Sequence, residues 1–98
     1  MRQIPFHRPA IGPEEEREVI DTLRSGWITT GPKAKRLETD FAKYVGARNA
    51  IAVAHCTGAL HLALFALEIG PGDELITTPF TFTATAEVMG YLGARPVF

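Results

Sequence analysis

The chain has 98 residues, 46% of them hydrophobic and 21% charged, with a formal net charge of −1. That length suits at most one small domain, the apolar share argues for a packed core rather than disorder, and the near balance of charge leaves no electrostatic footprint for nucleic acid. The single cysteine, Cys56, excludes an internal disulfide and a cysteine-based metal cluster and fits a reducing, cytoplasmic setting; no stretch reads as a signal peptide or reaches the roughly 20 apolar residues that cross a membrane.

Residues 1–12 read as an extended arm, because Pro5 and Pro9 discourage a helix. "PEEEREVIDTLRSG" then predicts a helix with Pro13 near its first position, Glu14, Glu15 and Glu16 at the positive end of the dipole, and a stop at Gly26. Val19, Ile20 and Leu23 form its expected buried stripe. After the loop "SGWITTGP" comes an amphipathic helix, "KAKRLETDFAKYVG", with Ala34, Leu37, Phe41 and Tyr44 or Val45 on one face and Gly46 where a terminating glycine belongs. Lys33, Lys35, Arg36 and Lys43 fall off that stripe and predict a solvated face.

From residue 50 the pattern changes to short apolar runs alternating with helices. "AIAVA" at 50–54 predicts a strand, Gly58–Glu68 a helix closed by "IGPGDE", and "ELIT" a second strand. "PFTFTATAEVMGYLG" supplies a loop and a helix ending at Gly93, and "PVF" opens a third strand. The order βαβαβ predicts an α/β fold with parallel strands and helices packed on the sheet. Residues 1–49 then form an arm with two helices, and 50–98 begin an α/β domain. Because the chain stops on Val97 and Phe98, just as a strand begins, it reads as a fragment cut within its third strand.

In an open parallel sheet, ligands bind beyond the carboxyl ends of the strands, and two such ends are visible. After "AIAVA" comes "HCTGA", where a helix N-terminus presents unpaired N–H groups suited to a phosphate. Thr57 would add a hydroxyl, and Gly58 would let the phosphate approach the backbone; alternatively, Thr57 only caps the helix. At the second end, Phe80 and Phe82 lie in a threonine-rich loop, where a ring either stacks on a flat heterocycle or belongs to the core. A phosphate cradle beside an aromatic platform suits a flat ring carrying a phosphate.

Taken together, "PFHRPAIG", "LRSGWITTGPKAKRLETDFAKYVGARNAIAV", "CTGALHLAL", "IGPGDELITTPFTFTATAEV" and "YLGARPVF" resemble the DegT/StrS-type sugar aminotransferases over essentially the whole chain. The set is particularly similar to enzymes that aminate nucleotide-linked 4-keto sugars, including the group making 4-amino-4-deoxy-L-arabinose. The resemblance implies the N-terminal part of a fold-type I large domain, pyridoxal 5′-phosphate (PLP) as cofactor, glutamate as amino donor and a homodimer. It places Thr57 and the Gly58 backbone at the cofactor phosphate and Phe82 against the pyridine ring. The loop holding Trp27, Thr29 and Thr30 falls near the substrate or the dimer partner, with simple packing the other reading of Trp27.

His55 departs from the serine or asparagine more usual at its position, and Gly58 from alanine. Cys56 reads as a small buried residue and His61 as a partly buried, satisfied one. None of Lys33, Lys35 and Lys43 matches the lysine that holds the cofactor, and none of Asp21, Asp40 and Asp73 matches the aspartate that holds the pyridine nitrogen. The resemblance places both residues beyond Phe98 and implies that this piece alone does not complete a catalytic cycle. A histidine at the lysine position would instead indicate the PLP-dependent sugar dehydratases of the same family. Neither residue there would indicate a non-catalytic anion- or cofactor-binding module.

Overall fold

The computed structural model describes residues 4, 5 and 7–98; the first three residues of the expected arm, and Phe6, lie outside them. The chain forms two compact units, Met1–Ala50 and Ile51–Phe98.

In the first unit, α1 (Pro13–Ser25) starts with proline at a position where its missing N–H costs nothing. Gly12 has no side chain with which to cap the helix, so the cap runs in reverse, with the Gly12 N–H donating to Glu15 Oε2 at 2.7 Å. That bond holds the Glu15 carboxyl below the usual carboxylate range. The stop at Gly26 is as expected, in the left-handed region with φ 71°. Helix α2 (Pro32–Val45) ends the same way at Gly46, φ 71°, where the Ala47 N–H reaches the Ala42 carbonyl at 2.9 Å.

The two expected apolar stripes are not buried: Val19, Ile20, Leu23, Leu37, Phe41, Tyr44 and Val45 are all exposed. Periodicity marks the face a helix can bury, but burial needs a second apolar surface against it. What joins α1 to α2 is polar instead. Lys33 Nζ lies 2.7 Å from both Glu18 Oε2 and Asp21 Oδ2 and donates to the Glu18 carbonyl at 2.8 Å. Lys33 is therefore not on a free solvated face.

In the second unit, α3 (Cys56–Ala66) and α4 (Ala84–Tyr91) pack together, and α4 crosses between two parallel strands, β1 (Glu74–Ile76) and β2 (Arg95–Val97). Glu74 pairs with Arg95, Leu75 with Pro96 and Ile76 with Val97. Glu74 and Arg95 also form an ion pair across the ladder. Val88 on α4, only 1% exposed, sits at the centre of the core with Ala84, Met89 and Ala94. The expected βαβαβ order is thus realised as one βαβ unit preceded by α3. Among the described residues the sheet consists of β1 and β2, and residues 50–54 form no strand of it.

Both helices of this unit end in the same hydrogen-bond pattern. After α4, the Gly93 N–H reaches the Gly90 carbonyl at 3.0 Å and the Ala94 N–H reaches the Met89 carbonyl at 3.0 Å, with Gly93 at φ 78°. After α3, the Glu68 N–H reaches Phe65 at 3.0 Å and the Ile69 N–H reaches Leu64 at 3.2 Å, but the left-handed residue is Glu68, φ 59°. Asp73 then closes the turn into β1: its carboxylate accepts the Gly70 N–H at 2.8 Å and its carbonyl accepts the Arg95 N–H at 2.9 Å.

Candidate functional site

The start of α3 is built around His55, whose extended backbone (φ −162°, ψ 162°) turns the chain into the helix. Its Nδ1 accepts the Gly58 N–H at 2.9 Å, and its carbonyl accepts the Ala59 N–H at 3.1 Å. A neutral imidazole that accepts at Nδ1 carries its proton on Nε2, so the hydrogen bond assigns the tautomer. The capping role considered for Thr57 therefore belongs to His55, and α3 begins two residues earlier than the expected Gly58. Serine, threonine, aspartate and asparagine are the favoured caps, so the pattern in "HCTG" pointed to the threonine; the acceptor nitrogen of a neutral imidazole was the missed signal.

Thr57 is thereby released from capping and lies half-buried in the first turn. The N–H groups of Cys56 and Thr57 occupy positions that have no carbonyl one turn back within the helix. Cys56 is exposed rather than buried and stands at the first position of α3. His61 is half-buried on α3 and meets the Tyr91 ring edge-on at 5.8 Å.

The second loop of this unit follows β1. Phe80 and Phe82 are 98% and 77% exposed, which overturns the core reading of both rings. The buried residues of this unit are instead Ala84, Val88, Met89 and Ala94. Around Phe82 the backbone is tied down: its carbonyl accepts the Thr85 N–H at 3.0 Å, and the Thr81 and Thr85 hydroxyls lie 3.0 Å apart. One compact unit thus carries outward-facing first-turn amides, a threonine hydroxyl and an exposed ring on a fixed backbone. That donor set fits a flat heterocycle bearing a phosphate.

The loop between α1 and α2 is a separate feature of the first unit. Trp27 Nε1 donates to the Thr30 carbonyl at 2.9 Å, and its backbone N–H donates to Ser25 Oγ at 3.1 Å. A Cβ at Gly31 would fall 2.1 Å from Trp27 Nε1, so the indole lies directly over the glycine. Trp27, Thr29 and Gly31 help to line a cleft of about 370 Å³ that Lys33 also borders. Hydrogen bonds to Asp21 and Glu18 push the Lys33 ammonium above its ordinary range and hold both carboxyls below theirs. A lysine held protonated in this way is a poor amine nucleophile. The other two lysines, Lys35 and Lys43, also lie on α2.

Residues 9–98 match the DegT/DnrJ/EryC1/StrS aminotransferase family. The spore coat polysaccharide biosynthesis protein SpsC of Bacillus subtilis (strain 168) is 54% identical over 95 residues, covering 97% of this chain and 24% of that protein. Among solved structures, the PLP form of Spr1654 from Streptococcus pneumoniae, which carries the name of a sugar aminotransferase, superposes with a TM-score of 0.88. It is 48% identical over 98% of this chain and 24% of its own. An aminotransferase from Psychrobacter cryohalolentis gives a TM-score of 0.85 at 40% identity, over 96% of this chain and 25% of its own. The chain therefore spans about a quarter of the length of the relatives it matches.

Proposed function

Because this chain belongs to the DegT/DnrJ/EryC1/StrS aminotransferase family, whose cofactor is PLP, we propose that its second unit contributes the phosphate and ring contacts of a PLP site. The observation that carries this reading is the presence, within one unit, of both the open first turn of α3 and the exposed ring of Phe82. The Cys56 and Thr57 amides and the Thr57 hydroxyl hold the phosphate, Gly58 keeps the approach clear, and Phe82 stacks on the pyridine ring. When bound, PLP supplies an electron sink and carries an amino group between donor and acceptor.

For the protein as a whole we propose amino transfer from glutamate to a nucleotide-linked keto sugar, in the cytoplasm and as a homodimer. The polysaccharide role in the name of the SpsC relative supports a sugar acceptor. Trp27, Thr29 and Thr30 lie on the substrate side; the cleft that Trp27 and Thr29 line supports this for those two, and Thr30 is tied to them through its carbonyl, which accepts the indole N–H. The 98-residue chain supplies binding groups and not the lysine that holds the cofactor covalently. The carboxylates around Lys33 support that part of the reading.

Titration of the chain with PLP tests it. Reversible binding is expected, weakened about tenfold by Thr57→Val, the scale of one lost hydrogen bond to a charged group, and weakened also by Phe82→Ala. Borohydride treatment is expected to leave no lysine of this chain specifically modified. Binding that ignores both substitutions would overturn the site, and a single lysine fixed by borohydride would overturn the division of labour.

A further inference from the structure

We propose that His55 and Gly58 form an interdependent pair, in which the imidazole positions the first turn of α3 and the glycine is what admits the imidazole. Two separate observations carry this. The Gly58 N–H donates to His55 Nδ1 at 2.9 Å, so the ring is held against the turn rather than extended into solvent. A Cβ added at Gly58 would stand 3.2 Å from His55 Cε1, tighter than ordinary van der Waals contact, and 3.4 Å from Nδ1, so the ring would have to give by a few tenths of an ångström. Gly58 has a helical backbone, so no left-handed conformation demands glycine there; the neighbouring ring does.

The usual capping side chains reach the same amide with one hydroxyl or carboxyl oxygen, and they leave room for a methyl group beside it. A five-membered ring does the same work from a wider footprint. The pair therefore behaves as a unit: alanine at 58 crowds the histidine cap and makes its ring give way, which a smaller serine cap does not require. By engaging the Gly58 amide, His55 also leaves the two preceding amides, of Cys56 and Thr57, as the free donors of the turn. That consequence rests on the PLP reading above; the pair itself does not.

A double-mutant cycle on the 98-residue chain, with hydrogen exchange of the α3 amides and imidazole ¹⁵N shifts as readouts, tests the proposal. With histidine at 55, Gly58→Ala is expected to speed exchange of the first α3 amides by about fivefold, the scale of a lost cap. In the His55→Ser background, Gly58→Ala is expected to leave exchange unchanged or to slow it. The parent imidazole is expected to show the Nε2–H tautomer, a signature that packing alone would not set. Equal effects of Gly58→Ala in both backgrounds would overturn the pair, as would an Nδ1–H tautomer or an α3 that is not helical. Adding PLP separates the two readings: an α3 first turn that shifts in none of the four proteins sinks the cofactor site while the cycle still decides the pair.

Discussion

The two units use their apolar residues differently. In the second, α4 buries Val88, Ala84 and Met89, and a parallel strand pair with its crossover helix follows from that burial. In the first, two helices that stop at left-handed glycines leave their strong apolar stripes exposed and meet through Lys33 and its carboxylates. Termination at a left-handed residue is a local property and occurs in both units, whereas the apolar stripes belong to α1 and α2. Burial is a property of pairs of elements, and among the described residues the buried side chains all lie in the second unit.

The sharpest way to break the contrast is at Val88. Val88→Ala removes two methyl groups from a site with 1% exposure and is expected to cost about 2 kcal/mol. Urea unfolding followed by hydrogen exchange of the β1 and β2 amides reads the loss. Truncating Val19 or Leu37 in the first unit, where the side chains are already in water, is expected to change stability far less. Equal losses in the two units would mean that the stripes of α1 and α2 are covered in solution.

That contrast also explains what the sequence disclosed. Helix positions were legible because their signals are local: Pro13, Gly26, Gly46 and Gly93 each act within one turn of the boundary they mark. The parallel pairing of β1 and β2 was legible from the β-α-β order. The strand expected at 50–54 is not among the strands of the described residues, and composition alone does not say which neighbour a strand pairs with. At the site, the turn that opens α3 was legible, but the one cap weighed there was Thr57, as the alternative to a phosphate contact, because threonine is a common cap. Recognising His55 required knowing that a glycine three residues on leaves room for a ring.

The second unit also contains its own internal comparison. Gly93 and Glu68 occupy the same left-handed position in the same capping pattern, and glycine alone adopts it without penalty. Gly93→Ala is expected to cost about 1 kcal/mol or more, since it adds left-handed strain and places a Cβ 3.0 Å from Pro71 Cγ. Glu68→Gly is expected to gain about 0.5 kcal/mol, the relief of strain exceeding the extra freedom of the unfolded chain. Shifts of opposite sign in the denaturation midpoint check both. A loss at Glu68→Gly would mean that the carboxylate makes up for its backbone.

The smallest effect belongs to the ionic clasp of the first unit. Its groups are exposed, so Lys33→Met is expected to loosen α1 from α2 without unfolding either helix. The direction of its pH dependence follows from the shifted groups. Glu18 and Asp21 are held below the usual carboxylate range, so their contribution is present above about pH 4 and fades as acid protonates them through their folded values. Lys33 is held above its ordinary range, so its contribution is complete below about pH 10 and fades as the pH rises through its folded value. NMR contacts between α1 and α2 are therefore expected to weaken at both extremes and in about 1 M salt, while those between α3 and α4 stay constant under salt. A first unit indifferent to salt and to Lys33→Met would show that its helices are joined by their apolar stripes after all.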